Sequence, residues 1–127
     1  MNRALFFALV LLGLVACEPT TLVFENQVPG VTIENMRWTT SNQTYQSPDR
    51  LLPGQASAEI DVGLDDEGRR GRVTFEVDLN GRRVALEAEA PLKVPAEGQT
   101  RFVLTPDTPV RHPLLQEAPM ALWAAPE

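Results

Sequence analysis

Between Thr20 and Leu104 the hydrophobic residues recur at every second position in short runs, and Gly, Pro, Asn and charged clusters separate the runs. That period belongs to strands with one buried face, and no stretch carries the 3.6-residue period of a helix. In Thr20-Thr21-Leu22-Val23-Phe24-Glu25, Leu22 and Phe24 share a face. Asn26 to Gly30 reads as a turn, and Val31 to Trp38 as the next strand. Its phase changes midway, because Val31 and Ile33 share one parity while Met36 and Trp38 share the other. A bulge at Glu34-Asn35 would bring all four inward, since one extra residue shifts the register of everything after it. Thr39 to Pro48 reads as a polar loop with Tyr45 its only large residue, and Leu51-Leu52-Pro53-Gly54 as a short edge and a turn. Ala58, Ile60, Val62 and Leu64 alternate with Glu59, Asp61 and Gly63, which predicts a half-buried strand; residues 65–71 then form a charged loop.

The pattern is most specific around Asn80-Gly81. Both residues tolerate φ > 0, so the pair predicts a two-residue type I′ hairpin turn between two alternating runs. The turn length fixes the register: Leu79 opposite Arg82, Asp78 opposite Arg83, Val77 opposite Val84, Phe75 opposite Leu86, Thr74 opposite Glu87. Continued outward, it sets Val73 against Ala88 and Arg72 against Glu89. One face is then apolar and the other mostly complementary in charge, and a slip by one residue would destroy both patterns.

Lys93-Val94-Pro95 and Thr100 to Leu104 complete the set, with Glu97-Gly98 as the turn between them. About seven short strands with regular turn signals predict an all-β fold, an antiparallel β-sandwich of immunoglobulin-like or transthyretin-like type. The Cys…Trp…Cys pattern of true immunoglobulin domains is missing, and a small barrel is the alternative. The sandwich is expected over residues 20–105. Beyond it, Pro106, Pro109, Pro113, Pro119 and Pro126 predict a Pro-rich tail, 106–127, without regular structure. Leu114-Leu115 and Met120 to Trp123 are apolar for such a tail. They suit a segment laid back over a sheet edge or seam, or a short docking motif.

Charge narrows the partners. The chain carries 11 Lys and Arg against 17 Asp and Glu, a net −6. Such a balance speaks against nucleic acid, whose phosphates call for a basic surface, and against adhesion to anionic lipid. The first seventeen residues, MNRALFFALVLLGLVAC, stand apart. One cation, Arg3, precedes an apolar run of 13 residues, Ala4 to Ala16, and the only cysteine of the chain follows. A membrane span needs about 20 apolar residues, so the run is too short to be one. A plain secretory signal wants small residues at both −3 and −1 of its cleavage site, and Leu14 at −3 fits poorly.

Leu14-Val15-Ala16-Cys17 resembles the lipobox of bacterial lipoproteins. The resemblance implies cleavage between Ala16 and Cys17, removal of residues 1–16 as a signal helix, and a diacylglyceryl thioether on Cys17. Residues 17–19 would then be the lipidated N-terminus and its tether. An ordinary signal peptide is the alternative. One acyl chain gives only marginal membrane binding and several make attachment firm. Lipidation would also account for a lone cysteine in an exported chain. Asp after the cysteine favours inner-membrane retention in the enteric members of that family; Glu18 here implies the outer membrane. Phe24-Glu25-Asn26, Val31 to Trp38 and Leu51-Leu52-Pro53-Gly54-Gln55 are similar to stretches of small uncharacterised lipoproteins with β-sandwich bodies. That likeness implies a fold and no activity.

Residues able to carry chemistry are few. His112 lies between Arg111 and Pro113, Ser41, Ser47 and Ser57 have no Gly-x-Ser-x-Gly context, and Cys17 is assigned to lipid. Asp61, Asp65, Asp66 and Glu67 invite comparison with a calcium loop, but they match no EF-hand spacing and read better as a solvated turn. Trp38 and Tyr45 suggest a sugar platform, although parity with Met36 places Trp38 in the core. Asn42-Gln43-Thr44 is a sequon that a bacterial envelope leaves idle. The expectation is a non-enzymatic envelope lipoprotein without cofactor or metal. It would be membrane-attached through Cys17, with another envelope component as its partner. The alternative is a lipid-anchored module binding carbohydrate or Ca²⁺.

Overall fold

The computed structural model describes residues 18–79, 81–112 and 120–121, with side chains left aside at Leu79, Met120 and Ala121. The expected signal helix, Ala16, Cys17, Asn80, Leu114-Leu115 and Leu122-Trp123 lie outside these residues. The described chain is all-β and builds two sheets. Its strands are β1 Thr20–Asn26, β2 Ile33–Thr39, β3 Thr44–Gln46, β4 Ile60–Asp61, β5 Arg70–Leu79, β6 Arg82–Ala88, β7 Leu92–Lys93, β8 Gly98–Leu104, β9 Pro109–Arg111 and β10 Met120–Ala121. A 3-10 turn, Leu64–Asp66, is the one helical element described. The small sheet has the order β4-β1-β8, and the large one runs β10-β9-β6-β5-β2-β3 with β7 added on β5.

The core lies between the sheets and follows the alternation closely. Leu22 and Phe24 of β1 face Ile33, Met36 and Trp38 of β2 and Val73, Phe75 and Val77 of β5, all buried. The phase change in β2 is a bulge: the β2–β5 register shifts between Glu34 and Arg37, and Asn35 takes φ 52°. Asn suits this left-handed backbone better than most residues, and the bulge is what lets Ile33 and Trp38 both point inward. The hairpin register is as expected from Leu79↔Arg82 to Thr74↔Glu87. The two outermost expected pairs do not form. Beyond Thr74 the start of β5 pairs instead with β7, Arg70 with Lys93 and Gly71 with Leu92, while the other edge of β6 carries β9 through Glu87↔Arg111 and Ala88↔Val110.

Four further expectations about the strands are corrected. The sandwich is not wholly antiparallel, because β1 and β8 run parallel in register from Thr20↔Gly98 to Asn26↔Leu104. Tyr45 is not in an open loop: β3 adds to β2, Trp38 stands opposite Tyr45, and the two rings lie 5.4 Å apart in the core. The strand expected from Ala58 to Leu64 shrinks to Ile60–Asp61, and Leu64 is 84% exposed. There the chain leaves the sheet at Gly63, whose N–H donates to the Tyr45 hydroxyl (3.0 Å), so the alternation at Leu64 reports no buried face. Finally, the Pro-rich stretch continues the large sheet. β9 pairs with β6, and β10 pairs with β9 through Met120↔Val110 and Ala121↔Pro109. Pro109 is tolerated because it opens its strand, where a missing N–H costs least.

Two close approaches fix the loops. Gly71 lies over the Trp38 indole, where a Cβ would come within 2.5 Å of Nε1 and 2.6 Å of the Thr39 carbonyl oxygen. Only glycine fits there without displacing backbone, and Trp38 Nε1 donates to the Leu92 carbonyl at 2.9 Å. At the far end of β2, Asn26 is fully buried. Its amide donates to the Val31 and Leu51 carbonyls (2.7 and 2.9 Å), and its side-chain oxygen accepts from the Val28 N–H at 2.9 Å. The three sequence stretches from Phe24, Val31 and Leu51 thus meet around one side chain.

Candidate functional site

The described chain begins at Glu18, one residue past Cys17, and its chemistry is therefore that of the body. The acidic loop comes first. Asp61 and Asp65 are exposed, while Glu67 is half-buried and accepts from the Thr20 hydroxyl. Asp66 is not part of a solvated turn: it is 1% exposed. Its Oδ1 accepts from the Thr40 hydroxyl (2.6 Å) and Asn42 amide (3.1 Å), and its Oδ2 from the Tyr45 hydroxyl (2.6 Å) and Gln43 amide (3.4 Å). A carboxylate offers about four acceptor positions, and all are taken by protein donors. These bonds, Thr40 foremost and Tyr45 next, hold the Asp66 carboxyl below its ordinary range against the opposing effect of burial. Burial, aided by the bond to Asp66, pushes the Tyr45 phenol above its ordinary value. The cluster ties the β2–β3 connection to the 3-10 turn and presents no open coordination position. Among the described residues no group of three or more His, Cys, Asp or Glu side chains could hold a metal ion.

The outer face of the large sheet is polarised. At the Ile33 end of β2, Glu34 stands directly opposite Glu76, a like-charge pair that would repel. Arg83 lies between them, its guanidinium 2.9 Å from Glu34 and 3.6 Å from Glu76, and Asp78 is its partner in the ladder. At the Thr39 end the sign reverses. Arg37 of β2, Arg70 and Arg72 of β5, Lys93 of β7 and Arg111 of β9 gather there by register, through the pairs Arg37↔Thr74↔Glu87↔Arg111, Thr39↔Arg72 and Arg70↔Lys93. Glu87 is the carboxylate among them, 6% exposed, with Arg111 at 3.6 Å and Arg72 at 3.9 Å; Glu89 follows just beyond β6 and is exposed. The net negative chain therefore carries a local basic surface, which total charge alone concealed.

A depression of about 320 Å³ opens where β2 and β5 part, lined by Thr39, Thr40, Ser41, Arg70, Gly71, Arg72 and Pro91. A second, about 430 Å³, lies beside the acidic loop along Asn42, Gln43 and residues 63–66. Trp38 and Tyr45, considered for sugar stacking, are both core. His112 directly follows β9. Sequence reasoning missed the role of Asn26, the burial of Asp66, the ion pairs of Glu87 and the basic end. The parity of Arg70 and Arg72 is legible in the sequence, but Arg111 lies in a Pro-rich stretch that predicts no strand.

The fold defines a class, an all-β body of two unequal sheets. Beyond that class, no family model, no curated protein and no solved structure matches this chain.

Proposed function

We propose that the chain is a lipid-anchored protein of the bacterial envelope, attached through Cys17 and residing in the outer membrane. Its β-body binds or holds another envelope component and catalyses no reaction. One observation carries the reading: the thirteen-residue apolar run ends in Leu14-Val15-Ala16-Cys17, and that cysteine is the only one in the chain. Thioether lipidation gives this residue a purpose that disulfide pairing cannot. The finer description of the body, immunoglobulin-like or transthyretin-like, belongs to the same proposal. The parallel β1–β8 pair departs from the antiparallel sheets of immunoglobulin domains, so any kinship of that kind is one of architecture. A lipid-anchored module for carbohydrate or Ca²⁺ has less support, since its candidate aromatics are buried and Asp66 has no free lone pair.

Metabolic labelling with a palmitate analogue in a bacterial host tests the reading. The expected result is a labelled protein that sediments with outer membranes, and a Cys17→Ser variant that is unlabelled and retains residues 1–16. An unlabelled wild-type chain released soluble into the periplasm would overturn it.

A further inference from the structure

The depression between the Thr39–Ser41 bend and β5 has the composition of an anion site. Arg70 and Arg72 alternate with Gly71 on β5; Gly71 points at the Trp38 indole, so the two arginines share the outer face. Thr39 is the ladder partner of Arg72, and Lys93 that of Arg70. The arginines are free to turn. Arg70 and Ser41 make no side-chain hydrogen bond or ion pair among the described residues. Arg72 is 69% exposed and reaches Glu87 only at 3.9 Å, while Arg111 lies closer to the same carboxylate at 3.6 Å. If Arg72 swings away, Glu87 keeps a counter-charge. The Thr40 hydroxyl is committed to Asp66, which leaves Thr39 and Ser41 as the hydroxyl donors; Thr39 shares a 3.1 Å bond with Thr44. No carboxylate lines the depression.

We propose that this depression binds a phosphate group, held by the Arg70 and Arg72 guanidiniums and the Ser41 and Thr39 hydroxyls. Two planar guanidinium forks beside small hydroxyls match the tetrahedral oxygens of phosphate, and charge-assisted bonds of this kind are about twice as strong as neutral ones. The phosphate comes either from a phospholipid headgroup or from a free phosphate. The site does not depend on lipidation of Cys17, and its test can fail while the anchor reading stands.

The test is a ¹⁵N NMR titration of the full chain in neutral-detergent micelles, following the Arg Nε–H and Ser41 amide signals. Inorganic phosphate is added first, and phosphatidylglycerol is doped into the micelles in a parallel series. Saturable shifts confined to Arg70, Arg72, Thr39 and Ser41 are expected. Arg70→Gln/Arg72→Gln should weaken binding at least about tenfold, the loss of two charge-assisted bonds, while Arg82→Gln should leave it unchanged. Saturation by phosphate alone supports the site with a free phosphate as ligand; saturation by doped micelles as well supports the headgroup. No saturable shift with either, equal effects from chloride, or binding that survives in the double variant would overturn the proposal.

Discussion

The two ends of the sandwich are each closed by one buried polar side chain, and the two differ in charge. At one end the neutral Asn26 both donates and accepts, knitting the turn at Val28–Val31 to the Leu51 segment. At the other, the anionic Asp66 only accepts, drawing three donors from the β2–β3 connection and a fourth, Tyr45, from β3. An amide satisfies carbonyls and N–H groups at any pH. A carboxylate gathers donors more strongly but holds them only while it stays ionised. The molecule is therefore closed by a pH-indifferent knot at one end and a titratable one at the other.

The largest break comes from Asn26→Leu. The Val28 N–H and Val31 carbonyl lose this buried partner, whereas the Leu51 carbonyl keeps the Ile33 N–H. At ~1–3 kcal/mol per orphaned buried group, a loss of roughly 2–6 kcal/mol is expected in urea denaturation. A loss below half a kcal/mol would show that the amide is dispensable. Next is Gly71→Ala at the opposite end, where the added methyl meets Trp38 and the Thr39 backbone; overpacking of this kind costs ~1–3 kcal/mol, and the near-UV circular dichroism of Trp38 should change with it. Tyr45→Phe removes one donor to Asp66 and the acceptor of the Gly63 N–H, for about 1–2 kcal/mol in thermal unfolding.

The smallest effect is the most specific. Because the Asp66 carboxyl is held below its ordinary range, its contribution is fully present above the usual carboxylate pKa, about 4 in the unfolded chain, and is lost as pH falls through the lower folded value. Tyr45 acts at the other limit. Its folded pKa is raised, so its contribution is present below about 10 and declines as pH rises beyond that. Stability measured from pH 7 down to 3 should fall in the wild type and in Asn26→Leu with the same slope. Asp66→Asn should flatten that slope, and equal slopes in all three would mean other carboxylates set the acid limit.

Legibility in the sequence followed locality. From Leu79–Arg82 to Thr74–Glu87 the β5–β6 register was readable because Asn80-Gly81 and period-two alternation are local, and the β2 bulge showed as a change of parity. What could not be read depends on which distant segments meet. Asp66 looks like its neighbours Asp65 and Glu67 until Thr40 and Tyr45 are brought over it, and Tyr45 looks exposed until β3 pairs with β2. The basic end needed four strands in register, one of them in a Pro-rich stretch whose composition disguised it. Cys17 remains a reading of sequence alone.

The parallel pairing of β1 with β8 also sets the order in which the fold can form. β1 is the first strand of the described residues, yet its partners are a two-residue β4 and the seven residues of β8, close to their other end. A growing chain cannot complete its small sheet until Leu104 has been synthesised, and the cost of closing so long a loop falls before any contact repays it. Until then β1 has only the two residues of β4 as its partner in the small sheet. The β3-β2-β5-β6 part of the large sheet can assemble earlier around its own hairpin, and β9 and β10 join it only after β8. A chain cut before Gly98 would keep that hairpin and leave its first strand without a lasting partner.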